Sequence, residues 1–157
     1  MRHLKTDMEK RVESHSVESH SEEQTMSVAR RLGEHAEPGD IFSLSGELGT
    51  GKTHFVKGFA RAFGIPAEEV NSPTFSLIQE YQGKNGLMLY HFDCFRLERI
   101  EEALEIGSEE YFYGDGVSII EWPEKIEEIL PEDVIRITLA VSGKNSRIIT
   151  IIYPTEE

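Results

Sequence analysis

Apolar and polar positions along this chain switch between a helical period and a strand period, and the switches mark its elements. Met26, Ala29 and Leu32 recur at helical spacing after Ser21, a suitable N-cap, with Glu22 and Glu23 in the first turn where acids favour the helix dipole. Pro38-Gly39 closes a turn into Asp40-Ile41-Phe42-Ser43-Leu44-Ser45, whose apolar positions 41, 42 and 44 predict a short buried strand. Phe55, Val56, Phe59, Ala60 and Phe63 then predict a helix, stopped by Gly64 and Pro66. Residues 71–74 read as a loop, 75–81 and 87–92 as the strands of a hairpin about Gly83-Lys84-Asn85-Gly86, with Asp93 delivered at the end of the second. A short acidic helix is expected at 98–106, then the aromatic cluster Tyr111-Phe112-Tyr113, a strand at 117–120 ending in Glu121-Trp122-Pro123, and helix at 124–130. Residues 133–141 and 147–153 predict a second hairpin around Ser142-Gly143-Lys144-Asn145.

Between the first predicted strand and the helix after it lies Gly46-Glu47-Leu48-Gly49-Thr50-Gly51-Lys52-Thr53, which fits the phosphate-binding P-loop pattern in the strand–loop–helix context that pattern requires. Gly49 and Gly51 let the backbone curl so that successive N–H groups, Thr50 included, point at anionic oxygens. Lys52 supplies a charge for β- and γ-phosphates, the Thr53 hydroxyl can ligate Mg²⁺, and the helix start adds its positive dipole end. With helices near this strand and two hairpins, the expected fold is α/β: a single-domain, P-loop NTPase-like, three-layer fold with a mixed β-sheet.

Composition narrows the function classes. The chain has 157 residues, 29% of them charged, and a formal net charge of −13. Such a charge argues against gripping nucleic acid directly and is compatible with docking on a basic partner. No apolar stretch approaches the ~20 residues of a membrane span, and the N-terminus lacks a signal-peptide core, so no membrane role and a cytoplasmic location are expected. The single cysteine, Cys94, reads as a small buried apolar residue. The segment 1–20, with Ser21 after it, carries the repeat Val12-Glu13-Ser14-His15-Ser16, Val17-Glu18-Ser19-His20-Ser21. His15 and His20 lack the partners of a metal site, so this segment is expected to be flexible or an edge strand ahead of a nucleotide-binding domain at 21–157.

A P-loop site takes a further acidic group for its metal, and two strand-end carboxylates qualify, Asp93 and Glu121. One can bind Mg²⁺ directly and the other through water. Ser72-Pro73-Thr74, in a loop leading into a strand, can sense the γ-phosphate as switch loops do. Trp122 reads as core or partial core, and Arg96 is the candidate for an arginine finger. Competing classes remain open at this point. A small-molecule kinase would carry an arginine-bearing lid. A GTPase-like switch would carry Asn-Lys-x-Asp, where this chain has only Lys-Asn pairs at 84–85 and 144–145. A scaffold would bind nucleotide without hydrolysis.

Four signatures in fixed order, the P-loop, Asn71-Ser72-Pro73-Thr74-Phe75, Tyr90-His91-Phe92-Asp93 with Arg96-Leu97, and Glu121-Trp122-Pro123, resemble the TsaE (formerly YjeE) family. The match runs from about Ser21 to Tyr153. The resemblance implies a weak Mg²⁺-dependent ATPase of bacterial tRNA threonylcarbamoyladenosine (t6A37) synthesis, for tRNAs reading codons that begin with A. It implies ATP and Mg²⁺ as cofactors and action with TsaD and TsaB, tRNA being reached only through that complex and the transfer itself made by TsaD. By position it implies Thr53 and Glu121 as metal ligands, Asp93 at metal or water, Ser72-Pro73-Thr74 as switch, and Trp122 at the site or partner surface. Glu23 and Lys144 are implied to lie by the nucleotide. One departure is His54, where many relatives carry Thr or Ser; a hydroxyl there can bond an α-phosphate oxygen, whereas histidine donates only through a ring nitrogen.

Overall fold

The computed structural model describes residues 11–47, 49–71 and 77–155; the Ser72-Pro73-Thr74 segment lies outside them, as does Leu48. Among the described residues seven strands, β1 (Arg11–Ser19), β2 (Ile41–Ser45), β3 (Ile78–Gln82), β4 (Met88–Asp93), β5 (Val117–Glu121), β6 (Ile135–Val141) and β7 (Arg147–Thr155), form one sheet in the order β1-β7-β6-β2-β5-β4-β3. The pairs β6–β2, β2–β5 and β5–β4 are parallel, whereas β3–β4, β6–β7 and β1–β7 are antiparallel. The sheet is therefore mixed, with parallel strands at its centre and hairpin partners at its edges, and the fold is α/β.

The strand period splits the core in two. Phe42, Leu44, Leu89, Ile119 and Ile137 face α1 (Glu22–Glu34) and α2 (Lys52–Arg61), while Ile41, Phe92 and Ile120 face α3 (Ile100–Glu105), α4 (Ser108–Phe112) and the 3₁₀ segment Pro123–Ile129. With helices on both sides, β5 is buried at every position, which is why its sequence runs apolar instead of alternating. Of residues 124–130, expected as helix, 124–129 lie in that 3₁₀ segment, which Ile126 kinks at φ −129°, and Leu130 follows it in extended conformation. The aromatic cluster at 111–113 lies at the end of α4.

Ser21 caps α1 as expected, its Oγ accepting from the Gln24 amide at 3.1 Å, and Gln24 Oε1 accepts from the His20 amide at 2.7 Å. Thr25, not Met26, takes the buried position in the first turns, with its hydroxyl 2.7 Å from that of Ser19. Met26 meets α2 through its main chain: a Cβ on Gly58 would lie 2.3 Å from the Met26 carbonyl oxygen. The helices thus touch backbone to backbone, which brings the start of α1 close to the start of α2. The repeat segment supplies β1 and pairs with β7 along its whole length. Its period of five is odd, so matching residues face opposite sides of the sheet, Ser14 outward and Ser19 buried. Among the described residues, no helix is long and apolar enough to cross a membrane.

Candidate functional site

The C-terminal ends of the adjacent parallel strands β2, β5 and β4 open on one crevice, the usual position for a ligand in such a sheet. From β2 the chain enters the glycine loop. Gly49 (φ 84°) and Gly51 (φ 99°) take backbone conformations that a side chain disfavours. Thr50 closes the bend, its amide and its hydroxyl both donating to the Glu47 carbonyl at 3.2 and 2.8 Å. Arg147, at the start of β7, braces the loop: Nε donates to the Thr50 carbonyl at 2.9 Å and Nη2 to that of Gly49 at 3.2 Å. The carbonyls of Gly49 and Thr50 are thus held toward Arg147. We expect Arg147→Ala to weaken ATP binding about tenfold, equally with Mg²⁺ and in EDTA, in a calorimetric titration, since a hydrogen bond from a charged group contributes about 1.5–3 kcal/mol.

Lys52 begins α2, is buried, and donates from Nζ to the Gly46 carbonyl. Nζ also sits 3.4 Å from the centre of the Trp122 ring, a cation–π contact. Burial pushes the Lys52 pKa down, and the charges of Glu121, Glu124 and Asp93 oppose that shift. Trp122 is a non-glycine residue at φ 57° and ψ 51°, which bends the chain sharply after Glu121 and lays the indole beneath the ammonium. The ring also meets Phe95, with ring centres 5.0 Å apart.

Asp93 and Glu121 are paired in register at the ends of β4 and β5. Glu121 is almost fully enclosed, and its Oε2 lies 2.7 Å from Nε2 of the equally buried His91. Asp93 is less enclosed and accepts from the Phe95 amide at 3.1 Å. Two carboxylates side by side with the Thr53 hydroxyl in the same cleft make a hard-oxygen donor set that fits Mg²⁺. Among the described residues, no group of three or more His, Cys, Asp or Glu could hold an ion alone, so phosphate and water oxygens would complete the shell.

The Asp93 pKa is raised, chiefly by burial and further by the Glu121 charge, against the Phe95 amide, His91 and Lys52. The folded chain therefore binds this proton more tightly than the unfolded one. Stability falls as pH rises from the ordinary carboxylate value of 3.8 through the raised one, and the cost is fully present only above the latter. Asp93→Asn should then raise the melting temperature of the nucleotide-free protein at pH 7, with the gain fading toward pH 3, as calorimetric scans across pH would record.

A cleft of about 790 Å³ gathers most of the residues singled out from sequence: Glu23, Gly49, Thr50, Gly51, Lys52, Thr53, His54, Asp93, Glu121 and Trp122 all line it. Thr74, with Ser72 and Pro73, falls outside the described residues. Lys144 does not line the cleft. It is exposed in the β6–β7 turn, and Asn145 and Arg147 reach the cleft in its place. Arg96 is exposed and not in the lining; the arginine there is Arg147. His54 Nε2 lies 3.3 Å from Glu22 Oε1, so the departure noted above links the first turns of α1 and α2 across the cleft. Sequence reasoning missed His91 and Arg147 as functional candidates, along with the Phe95 wall; the His91-Phe92-Asp93 spacing, which puts residues 91 and 93 on one strand face, was the available signal for the first.

Comparison with known proteins gives a consistent result. The family model described as "Threonylcarbamoyl adenosine biosynthesis protein TsaE" matches residues 19–149. The tRNA threonylcarbamoyladenosine biosynthesis protein TsaE of Bacillus subtilis is 44% identical over 82% of this chain and 78% of its own length. Its namesake from Treponema pallidum is 42% identical over 85% of this chain and 96% of its own length. The crystal structure of YdiB from Bacillus subtilis superposes with a TM-score of 0.76 at 36% identity, covering 92% of this chain and 88% of that one.

Proposed function

The chain belongs to the TsaE family, and from that premise we propose that it serves tRNA threonylcarbamoyladenosine biosynthesis by binding ATP with Mg²⁺ in this cleft and hydrolysing it. The observation that carries the reading is the convergence, in one cleft, of a positive-φ glycine loop, a buried lysine at a helix start and two adjacent strand-end carboxylates.

The loop amides and the start of α2 receive the β- and γ-phosphates, and Lys52 turns from the Trp122 ring toward them. Thr53, Glu121 and Asp93 are the residues that would hold Mg²⁺, which would supply charge neutralisation for the triphosphate. Asp93, the less enclosed carboxylate, orients a water for in-line attack on the γ-phosphorus. The bond to the β–γ bridging oxygen breaks, ADP and inorganic phosphate leave, and the proton from water passes to solvent or phosphate. Catalysis of this kind is positioning and charge stabilisation, with no covalent intermediate on the protein. Glu23 and His54 stand at the nucleotide's flank.

TsaD and TsaB are the proposed partners, with tRNA reached only through them, in keeping with the net charge of −13. Phosphate release is expected to be slow for the chain alone and faster when purified TsaD and TsaB are added at saturating ATP. Equal turnover with and without them removes the proposed coupling, and the absence of phosphate release in both removes the ATPase reading.

A further inference from the structure

The histidine beneath the carboxylates has no place in the reaction just described. His91 sits on β4, two residues before Asp93, on the face toward α2, and is about 1% exposed. It is bounded by apolar neighbours of the same sheet face, Leu89 on its own strand and Ile119 opposite it on β5. Its Nε2 lies 2.7 Å from Glu121 Oε2, and among the described residues its Nδ1 has no hydrogen-bond partner.

A buried His–Glu pair is an expensive way to fill space. Two leucines would pack the same volume without desolvating a carboxylate and an imidazole, and pairs of this kind seldom repay their burial in stability. The unpartnered Nδ1 adds to that cost, because a buried polar atom without a bond loses its hydration for nothing. The pair makes sense when the fixed orientation of Glu121 is itself needed. An ionised carboxylate only accepts, so Nε2 carries the hydrogen and donates it to Oε2. That bond occupies one oxygen of Glu121 and fixes the carboxylate plane, which leaves Oε1 for the cleft.

We propose that His91 is a positioning residue: its Nε2–H holds Glu121 so that the second carboxylate oxygen is presented to the divalent ion accompanying the triphosphate. It touches neither nucleotide nor ion, and acts through Glu121 alone. Partners of this type, one bond behind a metal ligand, typically change metal affinity by about 10–100-fold when removed. The inference rests on the Mg²⁺–ATP reading of the cleft.

The test compares a non-hydrolysable ATP analogue binding to the full chain in EDTA and in Mg²⁺, by calorimetric titration, for wild type, His91→Leu and His91→Gln. Wild type should bind more tightly in Mg²⁺. His91→Leu, matched in bulk but without a donor, should lose at least about tenfold of that Mg²⁺-dependent gain while its affinity in EDTA stays within about twofold. His91→Gln, whose amide N–H can still reach Glu121, should recover most of the gain. Should His91→Leu fail to fold, His91→Asn, whose amide is too short to reach, replaces it with the same expectation. A full Mg²⁺ gain in the donor-less variant, or an equal loss in both media, overturns the positioning role. Wild type binding in neither medium instead overturns the reading of the cleft, so the two failures are distinguishable.

Discussion

Replacing Glu121 by Gln is expected to lower ATP turnover by at least about 100-fold, which corresponds to about 2.7 kcal/mol of lost transition-state stabilisation. The substitution is chosen to separate charge from fold. Glu121 is buried and accepts from His91 at 2.7 Å. A glutamine carbonyl can accept the same bond, so the core under the site stays satisfied, while the formal charge that would face Mg²⁺ is gone. Glu121→Ala would instead strand the His91 donor in an apolar layer and mix a stability loss into the result. The measurement is steady-state phosphate release by both proteins at saturating ATP and Mg²⁺, with circular dichroism melting as the control. A glutamine variant turning over within a few-fold of wild type would remove Glu121 from the metal site.

The largest effect on stability is expected at Gly58, far from the reacting atoms. A Cβ there would sit 2.3 Å from the Met26 carbonyl oxygen and 2.6 Å from the Met26 Cα, and both belong to backbone that cannot swing aside. Gly33 makes a similar approach from α1, where a Cβ would meet the Phe59 carbonyl oxygen at 2.8 Å. Alanine at 58 would gain roughly 1 kcal/mol in helix propensity. Pushing the helices apart costs more, since overpacking a tight core runs to about 3 kcal/mol. We expect a net loss of about 2 kcal/mol, read as a melting point lower by about 4–8 °C for a chain of this size. Ser21, Glu22 and Glu23 at the start of α1 form one wall of the cleft, so ATP affinity should fall with it. A variant as stable as wild type would contradict the backbone contact.

What the sequence made legible follows from how directly each residue type is tied to its task. The glycine loop could be read because glycine takes the positive-φ conformations seen at positions 49 and 51 without the cost a side chain adds, and because a phosphate needs lysine and a hydroxyl just behind them. The buried run of β5 and the two hairpins were readable from strand periodicity, and with them the mixed α/β sheet. Arg147 was not readable, because its partners are carbonyls of Gly49 and Thr50, and main-chain partners leave no trace in residue identity. The late hairpin was expected to bring Lys144 to the cleft. The β6–β7 register, in which Val141 opposes Arg147, leaves Lys144 exposed in the turn instead. His91 entered only as a member of the Tyr90-His91-Phe92-Asp93 signature, with no role of its own, because its partner Glu121 lies on the neighbouring strand. By residue type alone Trp122 reads as core or partial core, and only the resemblance implied a place at the site or partner surface; its left-handed backbone, which turns the indole under Lys52, is not a local preference of tryptophan.

The most direct measurement is anomalous scattering from Mn²⁺ in crystals of this protein grown with a non-hydrolysable ATP analogue. The expected map shows a single ion bound by the Thr53 hydroxyl and at least one of Glu121 and Asp93, with the triphosphate curled into the amides of residues 46–53. A nucleotide seated elsewhere, or an ion remote from both carboxylates, would contradict it.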